Sequence, residues 1–267
     1  MTDRYAVFGN PIAHSLSPQI HSYFADQTKQ DLVYDRVLVP EGEFKATADK
    51  FFSEGGCGCN VTVPCKLDAY SYADTLTEYA KAAGAVNTLK KLPDGSVLGD
   101  NTDGRGLVLD LLRTNCPLKG SRILIIGAGG AARGIIKPIV EQLPQSVTIV
   151  NRTLSKAKEL AAIYEGVEAT DFSELDGVFD VIINATSTSL DGKLPAISDS
   201  IYKNAVYAYD LMYRKNENTV FVQKALDCGI KHVHDGFGML VGQAILSFEL
   251  WRESTHLNFN ECIEYLK

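Results

Sequence analysis

Apolar and polar positions along this chain fall into short blocks whose period switches between strand-like and helix-like. In the first part, Arg4 to Phe8, Leu32 to Val39 and Cys59 to Val63 read as strands. Between them, Pro18 to Thr28 and Glu43 to Phe52 read as helices, with Ser17 as an N-cap and Pro18 at the first helical position. Helical segments follow at Lys66 to Tyr70 and Leu76 to Ala83. Val86 to Leu92 and Ser96 to Leu98 are β-like, joined by the turn residues Pro93, Asp94 and Gly95.

The second part opens with a helix from Gly104 to Thr114. Strands are predicted at Arg122 to Ile126, Val147 to Asn151, Val181 to Asn184, Ala205 to Leu211 and Lys231 to Val233. Helices are expected after the glycine cluster at Gly127 and over Lys156 to Tyr164. An amphipathic stretch runs from Met239 to Trp251, with one more helix near the end. Strands alternating with helices predict an α/β protein with mainly parallel sheets. Two α/β domains are expected. The first would take residues 1–102, with the helices of 238–267 packing back on it. The second would take residues 103–237.

Composition narrows the class. The formal net charge is −7, which argues against nucleic acid or an anionic membrane as the main partner. No apolar run reaches the ~20 residues a membrane span needs, and the opening MTDRYAVFGN lacks a basic and then apolar leader pattern. A cytoplasmic protein is expected. Cys57, Cys59, Cys65, Cys116, Cys228 and Cys262 form no C-x-x-C pair, and the Cys57-Gly58-Cys59 spacing is too tight for a zinc knuckle. They read as free thiols in a reducing compartment, with no metal site.

The segment after Ile126 carries nucleotide chemistry. Gly127, Ala128, Gly129, Gly130 and Ala131, with Ala132 in the third slot, give the G-x-G-x-x-G/A layout between a strand and a helix. Gly127 permits a tight turn, Gly129 lets backbone approach a pyrophosphate, and the helix start offers free N–H groups. Glycine turns occur everywhere, so the position after a strand and before a helix is what gives this one weight. NAD sites place a carboxylate at the end of the next strand. This chain has Asn151, Arg152, Thr153 and then Lys156. A guanidinium forks onto a phosphate, so a 2′-phosphate, and hence NADP, is expected. Solvated surface cations are the bland alternative, although cations at a helix N-terminus are mildly unfavourable.

Polar residues cluster where the early strands end: Ser15 and Ser17; Asn60, Thr62 and Lys66; Asn87; Asp103. Ligands of open α/β sheets sit outside the carboxyl ends of strands, and this set suits a small acid bearing several hydroxyls. Taken singly, each residue has a plainer role as a cap, a turn residue or a solvated charge.

Taken together, FGNPIAHSLSP, NVTVPCK, AGAVNT, GDNTDG, GAGGAAR, NRT, NAT, YDLMY and DGFGMLVGQA resemble the shikimate dehydrogenase family, in that family's order and over residues 7 to 244. The resemblance implies an N-terminal α/β substrate-binding domain, a Rossmann-like dinucleotide-binding domain and a cleft between them, with NADPH-dependent reduction of 3-dehydroshikimate to shikimate in aromatic amino-acid synthesis. It implies that Ser15, Ser17, Thr62, Asn87, Tyr213 and Gln243 hold the ligand, with Asn60 helping to shape the pocket. Lys66 and Asp103 would be the catalytic pair and would also touch the substrate. Gly127 to Ala131 and Asn151 to Lys156 would bind NADP, with Leu211 and Gly236 against the nicotinamide end. Glu78 has no role that its chemistry explains. The chain departs from the family pattern at Cys65, where Phe is frequent, Lys156 (Arg), Leu211 (Met) and Gly242 (Ala or His). The partner is thus a small molecule, and the protein a monomer or homodimer. The rival readings are a quinate/shikimate dehydrogenase with dual substrate use, a more distant methylene-tetrahydrofolate dehydrogenase, and a non-catalytic NADP-sensing module. Retention of both Lys66 and Asp103 argues against the last.

Overall fold

The computed structural model describes residues 2–253 and 257–266. The chain divides into two compact units, one formed by Met1–Gly106 with Val241–Lys267 and the other by Leu107–Leu240. In chain order the first stretch contains β1 (Asp3–Gly9), α1 (Ser17–Thr28), β2 (Leu32–Leu38), α2 (Phe44–Ser53), β3 (Gly56–Val61), α3 (Lys66–Tyr72), β4 (Thr75–Leu76), α4 (Glu78–Ala83), β5 (Thr88–Lys91), β6 (Val97–Asp100) and α5 (Asp103–Arg113). Then come β7 (Arg122–Ile126), α6 (Gly130–Val140), β8 (Ser146–Val150), α7 (Leu154–Ala161), β9 (Val167–Thr170), β10 (Val181–Asn184), α8 (Asp199–Asn204), β11 (Tyr207–Asp210), α9 (Val220–Asp227) and β12 (His232–His234). The last two helices are α10 (Phe237–Arg252) and α11 (Phe259–Leu266).

The second unit holds a six-stranded sheet, β12-β11-β10-β7-β8-β9, paired in parallel throughout. Its central strands are buried on both faces. Ile123 and Ile125 join one core with Ile149 and Ile183, while Leu124 and Ile126 join the other with Ile182 and Ala208. Two-sided burial is why RILII and VIIN are uninterrupted apolar runs. Edge strand β9 (VEAT) is only partly buried, so it lacks that signature and has no counterpart among the expected strands.

The first unit holds a mixed sheet, β2-β1-β3-β5-β6-β4. Strand β1 lies parallel to β2 and β3, but β5 runs antiparallel to both β3 and β6. The expectation of mainly parallel sheets gives way here for a local reason. Only a short turn joins β5 to β6, with Leu92 N–H donating to the Ser96 carbonyl at 2.8 Å and Gly95 at φ +90°. So short a link cannot make a parallel crossover. Residues Ala6 and Phe8 of β1 face one core, and Tyr5 and Val7 face another that includes Trp251.

Three local expectations are corrected. Strand β3 starts at Gly56 and ends at Val61, not at Cys59 to Val63. Its glycines look unlike strand residues, yet a Cβ on Gly58 would stand 2.5 Å from Trp251 Nε1 and one on Gly56 would meet the Phe51 ring, so side-chain packing demands them. Ser17 is the first residue of α1 and not its N-cap; Leu16 takes that place without a side-chain bond. The Ser17 N–H donates instead to Ser15 Oγ at 3.3 Å. Finally, α10 presents no exposed residue along its length, so it is not amphipathic. The departure at Gly242 has a steric reason: a Cβ there would stand 2.5 Å from the Gly106 carbonyl oxygen.

Candidate functional site

In the first unit, strand ends bring the expected polar residues together. Lys66 opens α3 just beyond β3, and Asp103 opens α5 just beyond β6. Lys66 Nζ donates to Asp103 Oδ2 at 2.6 Å, with the side chains 30% and 22% exposed. The pair is therefore neither solvated away nor sealed in. Asn87, next to β5, donates from Nδ2 to Asp103 Oδ1 at 2.8 Å, so each carboxylate oxygen has its own donor. Asp103 is not the cap of its helix: its N–H donates to Asn101 Oδ1 at 3.1 Å, and the carboxylate is left for Lys66 and Asn87.

Beneath this pair lies a buried polar layer. Asn87 Oδ1 accepts from Thr102 N–H at 2.9 Å and Thr88 Oγ1 at 2.9 Å. Ser247 of α10 is fully buried, bonded to Thr88 Oγ1 at 2.8 Å and Thr102 Oγ1 at 3.3 Å. Asn60 donates to Ser247 Oγ at 2.9 Å and Thr88 Oγ1 at 3.1 Å, and it accepts from Tyr34 OH at 2.7 Å. Asn60, expected to help shape the pocket, has its amide engaged on both sides within this layer.

Thr62 is half-buried, and its hydroxyl bonds to no described residue; its N–H donates to the Phe8 carbonyl at 2.8 Å. Ser15 Oγ donates to Ser17 Oγ at 3.2 Å, which brings the two serines into one cluster. Arg36 on β2 donates through Nε and Nη2 to the Ser15 carbonyl at 3.2 and 2.6 Å. Gln243 is half-buried on α10, and a Cβ on Gly106 would meet its backbone N at 2.4 Å. Behind the serines, His21 stacks on Tyr34 with centroids 4.3 Å apart. Neither ring nitrogen has a hydrogen-bond partner among the described residues, and burial lowers its pKa to about 3. Glu78 is an exposed acid in the first turn of α4, where it suits the helix dipole.

In the second unit, β7 ends in Gly127 at φ +110°, a conformation that L side chains rarely adopt, and a Cβ there would also stand 2.9 Å from Thr186 Cγ2. Gly129 is the N-cap of α6, and a Cβ on Gly129 or Gly130 would meet nothing within 4 Å. Gly129, Gly130 and Ala131 are exposed and Ala128 half-buried, while Ala132 is fully buried in the core. The helix start can therefore receive an anion on backbone N–H groups. After β8, Asn151 Nδ2 donates to the Thr153 carbonyl at 2.9 Å, closing a turn that leaves Arg152, Thr153 and Lys156 exposed. Among the described residues, neither Arg152 nor Lys156 makes an ion pair.

Leu211 is buried in the core, but its carbonyl oxygen would lie 2.0 Å from a Cβ on Gly236, so only glycine fits there. Tyr213 is half-buried, edge-on to Phe237 at 5.9 Å, and burial pushes its phenol pKa up. Sequence reasoning passed over the scaffold of this loop. Asp210 is fully buried and accepts from Asn184 Nδ2 at 3.0 Å, Thr219 Oγ1 at 2.6 Å and Met212 N–H at 3.1 Å. Burial raises its pKa. The signal was a lone Asp closing an apolar strand. Tyr34, Arg36 and Ser247 were also missed, because each sits inside an ordinary strand or helix pattern.

Residues 7–89 match the family described as shikimate dehydrogenase substrate binding domain, and residues 110–203 match that described as shikimate / quinate 5-dehydrogenase. The chain is 56% identical over 253 residues to a Vibrio campbellii protein named shikimate dehydrogenase (NADP(+)), covering 94% of this chain and 91% of that one. It is similar to the crystal structure of an Ael1 enzyme from Pseudomonas putida, with a TM-score of 0.95, 37% identity and coverage of 100% and 98%. It is also similar to a Thermus thermophilus shikimate 5-dehydrogenase in complex with NADP(H) and shikimate, with a TM-score of 0.88, 29% identity and coverage of 99% and 98%.

Proposed function

The chain belongs to the shikimate dehydrogenase family, and on that premise we propose that it reduces 3-dehydroshikimate reversibly to shikimate, with NADP as its cofactor. The observation that carries this reading is the 2.6 Å pair of Lys66 and Asp103, half-open and steadied by Asn87. Bound NADPH supplies the hydride. As the carbonyl oxygen gains charge, the Lys66 ammonium stabilises it and delivers one proton, becoming neutral until water reprotonates it. Asp103 accepts a hydrogen bond from a ligand hydroxyl and holds the ammonium in place, so the two act as one unit. Ser15 and Ser17 take the ligand carboxylate; Thr62, Asn87, Gln243 and Tyr213 meet its hydroxyls.

The second unit fits NADP on its own geometry. Gly129 to Ala131 present open backbone at a helix start beyond the Gly127 turn, and Arg152 and Lys156 are cations with no ion-pair partner among the described residues. Leu211 and Gly236 shape the surface assigned to the nicotinamide. All six cysteines are free thiols, which suits a reducing cytoplasm.

The test follows NADPH absorbance with 3-dehydroshikimate and with 3-dehydroquinate. Rapid loss with the first alone supports the reading. Equal loss with both would favour dual quinate/shikimate use, and no loss with either would favour a non-catalytic NADP-binding protein.

A further inference from the structure

Strand β2 places two side chains at alternate positions, Tyr34 and Arg36, which share one face of the strand. They lie opposite Tyr5 and Val7 of β1. Tyr34 is buried and reaches Asn60. Arg36 is exposed, yet its guanidinium is directed at a single backbone atom, the Ser15 carbonyl oxygen, through two donors at 3.2 and 2.6 Å. Among the described residues it has no carboxylate partner. The Ser15 N–H is tied to the Ile12 carbonyl at 3.1 Å, so both backbone polar groups of Ser15 are held. Its hydroxyl meets the Ser17 hydroxyl and N–H.

A cation that engages a neutral carbonyl while keeping its charge uncompensated is an inefficient way to brace a surface loop. It is an effective way to brace a loop that must receive an anion. We propose that Arg36 is the positioning residue of the carboxylate pocket. It fixes the Ser15 carbonyl, thereby aims the two serine hydroxyls, and its unpaired charge lowers the free energy of a carboxylate brought against them. This rests on the reading that Ser15 and Ser17 hold the ligand's carboxylate. Arg36 determines preference for a carboxylate-bearing substrate over a neutral one, without contributing to proton or hydride transfer.

The experiment compares shikimate with its methyl ester, which keeps the ring and hydroxyls but loses the charge, as substrates for oxidation by NADP. Arg36→Ala should raise KM for shikimate roughly 10- to 100-fold, the range for a hydrogen bond to a charged group. It should leave kcat within about twofold, NADP affinity unchanged, and KM for the ester changed much less. Arg36→Lys, which keeps the charge but loses the fork, should recover part of the shikimate KM. Ser15→Ala serves as the control on the underlying reading. If Ser15→Ala discriminates acid from ester and Arg36→Ala does not, Arg36 has no such role while the serine pocket stands. If neither discriminates, the carboxylate sits elsewhere and both assignments fall. If Arg36→Ala lowers kcat and KM performance equally for both substrates, and Arg36→Lys does not rescue, Arg36 is merely structural.

Discussion

The two units treat their polar groups in opposite ways. In the first, Lys66, Asp103, Asn87, Thr88, Thr102, Asn60 and Ser247 are already bonded to one another. In the second, Gly129 to Ala131 stand open and Arg152 and Lys156 are exposed, without ion-pair partners among the described residues. A ligand whose hydroxyls must be told apart needs donors and acceptors fixed in advance, because reorganisation would cost affinity and rate. A phosphate-rich cofactor is recognised by charge and backbone N–H groups, which tolerate a mobile, hydrated arrangement. Mutations should therefore act through geometry in the first unit and through charge in the second.

The largest effect should come from Lys66→Ala. It should cut kcat roughly 10²- to 10⁴-fold, the usual share of a positioned acid–base group, while NADP affinity measured by fluorescence titration stays unchanged. Loss of NADP binding would break the division of labour between the units. Arg152→Ala should weaken NADP binding by about 1.5–3 kcal/mol and leave NAD binding nearly as it was. Equal losses for both cofactors would remove the 2′-phosphate from that site. Raised salt should weaken NADP binding to the wild type more than to this variant.

Smaller effects should probe the scaffold of the first unit. Ser247→Ala removes the buried acceptor of the Asn60 amide and a hydrogen-bond partner of Thr88 and Thr102, and should cost about 1–3 kcal/mol in chemical denaturation. A neutral outcome would mean the buried layer is not tightly fixed. His21 should tie stability to pH. Its folded pKa is lowered to about 3 by burial, so it stays neutral in the folded state, while the unfolded chain takes up a proton below about 6.5. Its contribution is complete above that value and is lost as pH falls toward 3, by at most about 1.4 kcal/mol per pH unit. The unfolding midpoint of His21→Phe should accordingly fall less steeply between pH 6.5 and 4 than that of the wild type. Parallel curves would show that His21 is not neutral and buried.

Much of this was legible in the sequence, for identifiable reasons. Continuous apolar strands such as RILII announce a two-sided parallel sheet, and a glycine cluster after one of them announces a nucleotide turn. Lys66, Asp103 and Asn87 stood in short motifs at strand ends and meet in space. What stayed hidden depends on long-range contacts. Gly58 lies in a strand against Trp251, which is distant in sequence, and Gly56 lies against Phe51. Ser17 looked like a cap because its composition fits one, but Ser15 supplies the oxygen. Asn60 is tied to Tyr34, Thr88 and Ser247, and Arg36, set in an ordinary strand pattern, reaches the serine loop.

The central claim is that Lys66 and Asp103 form one functional unit. The most direct test is a double-mutant cycle on kcat for 3-dehydroshikimate reduction, with Lys66→Ala, Asp103→Ala and the double variant. A shared role predicts that the double variant is little slower than the slower single variant. Losses that multiply in full would show that the two residues act independently, despite lying 2.6 Å apart.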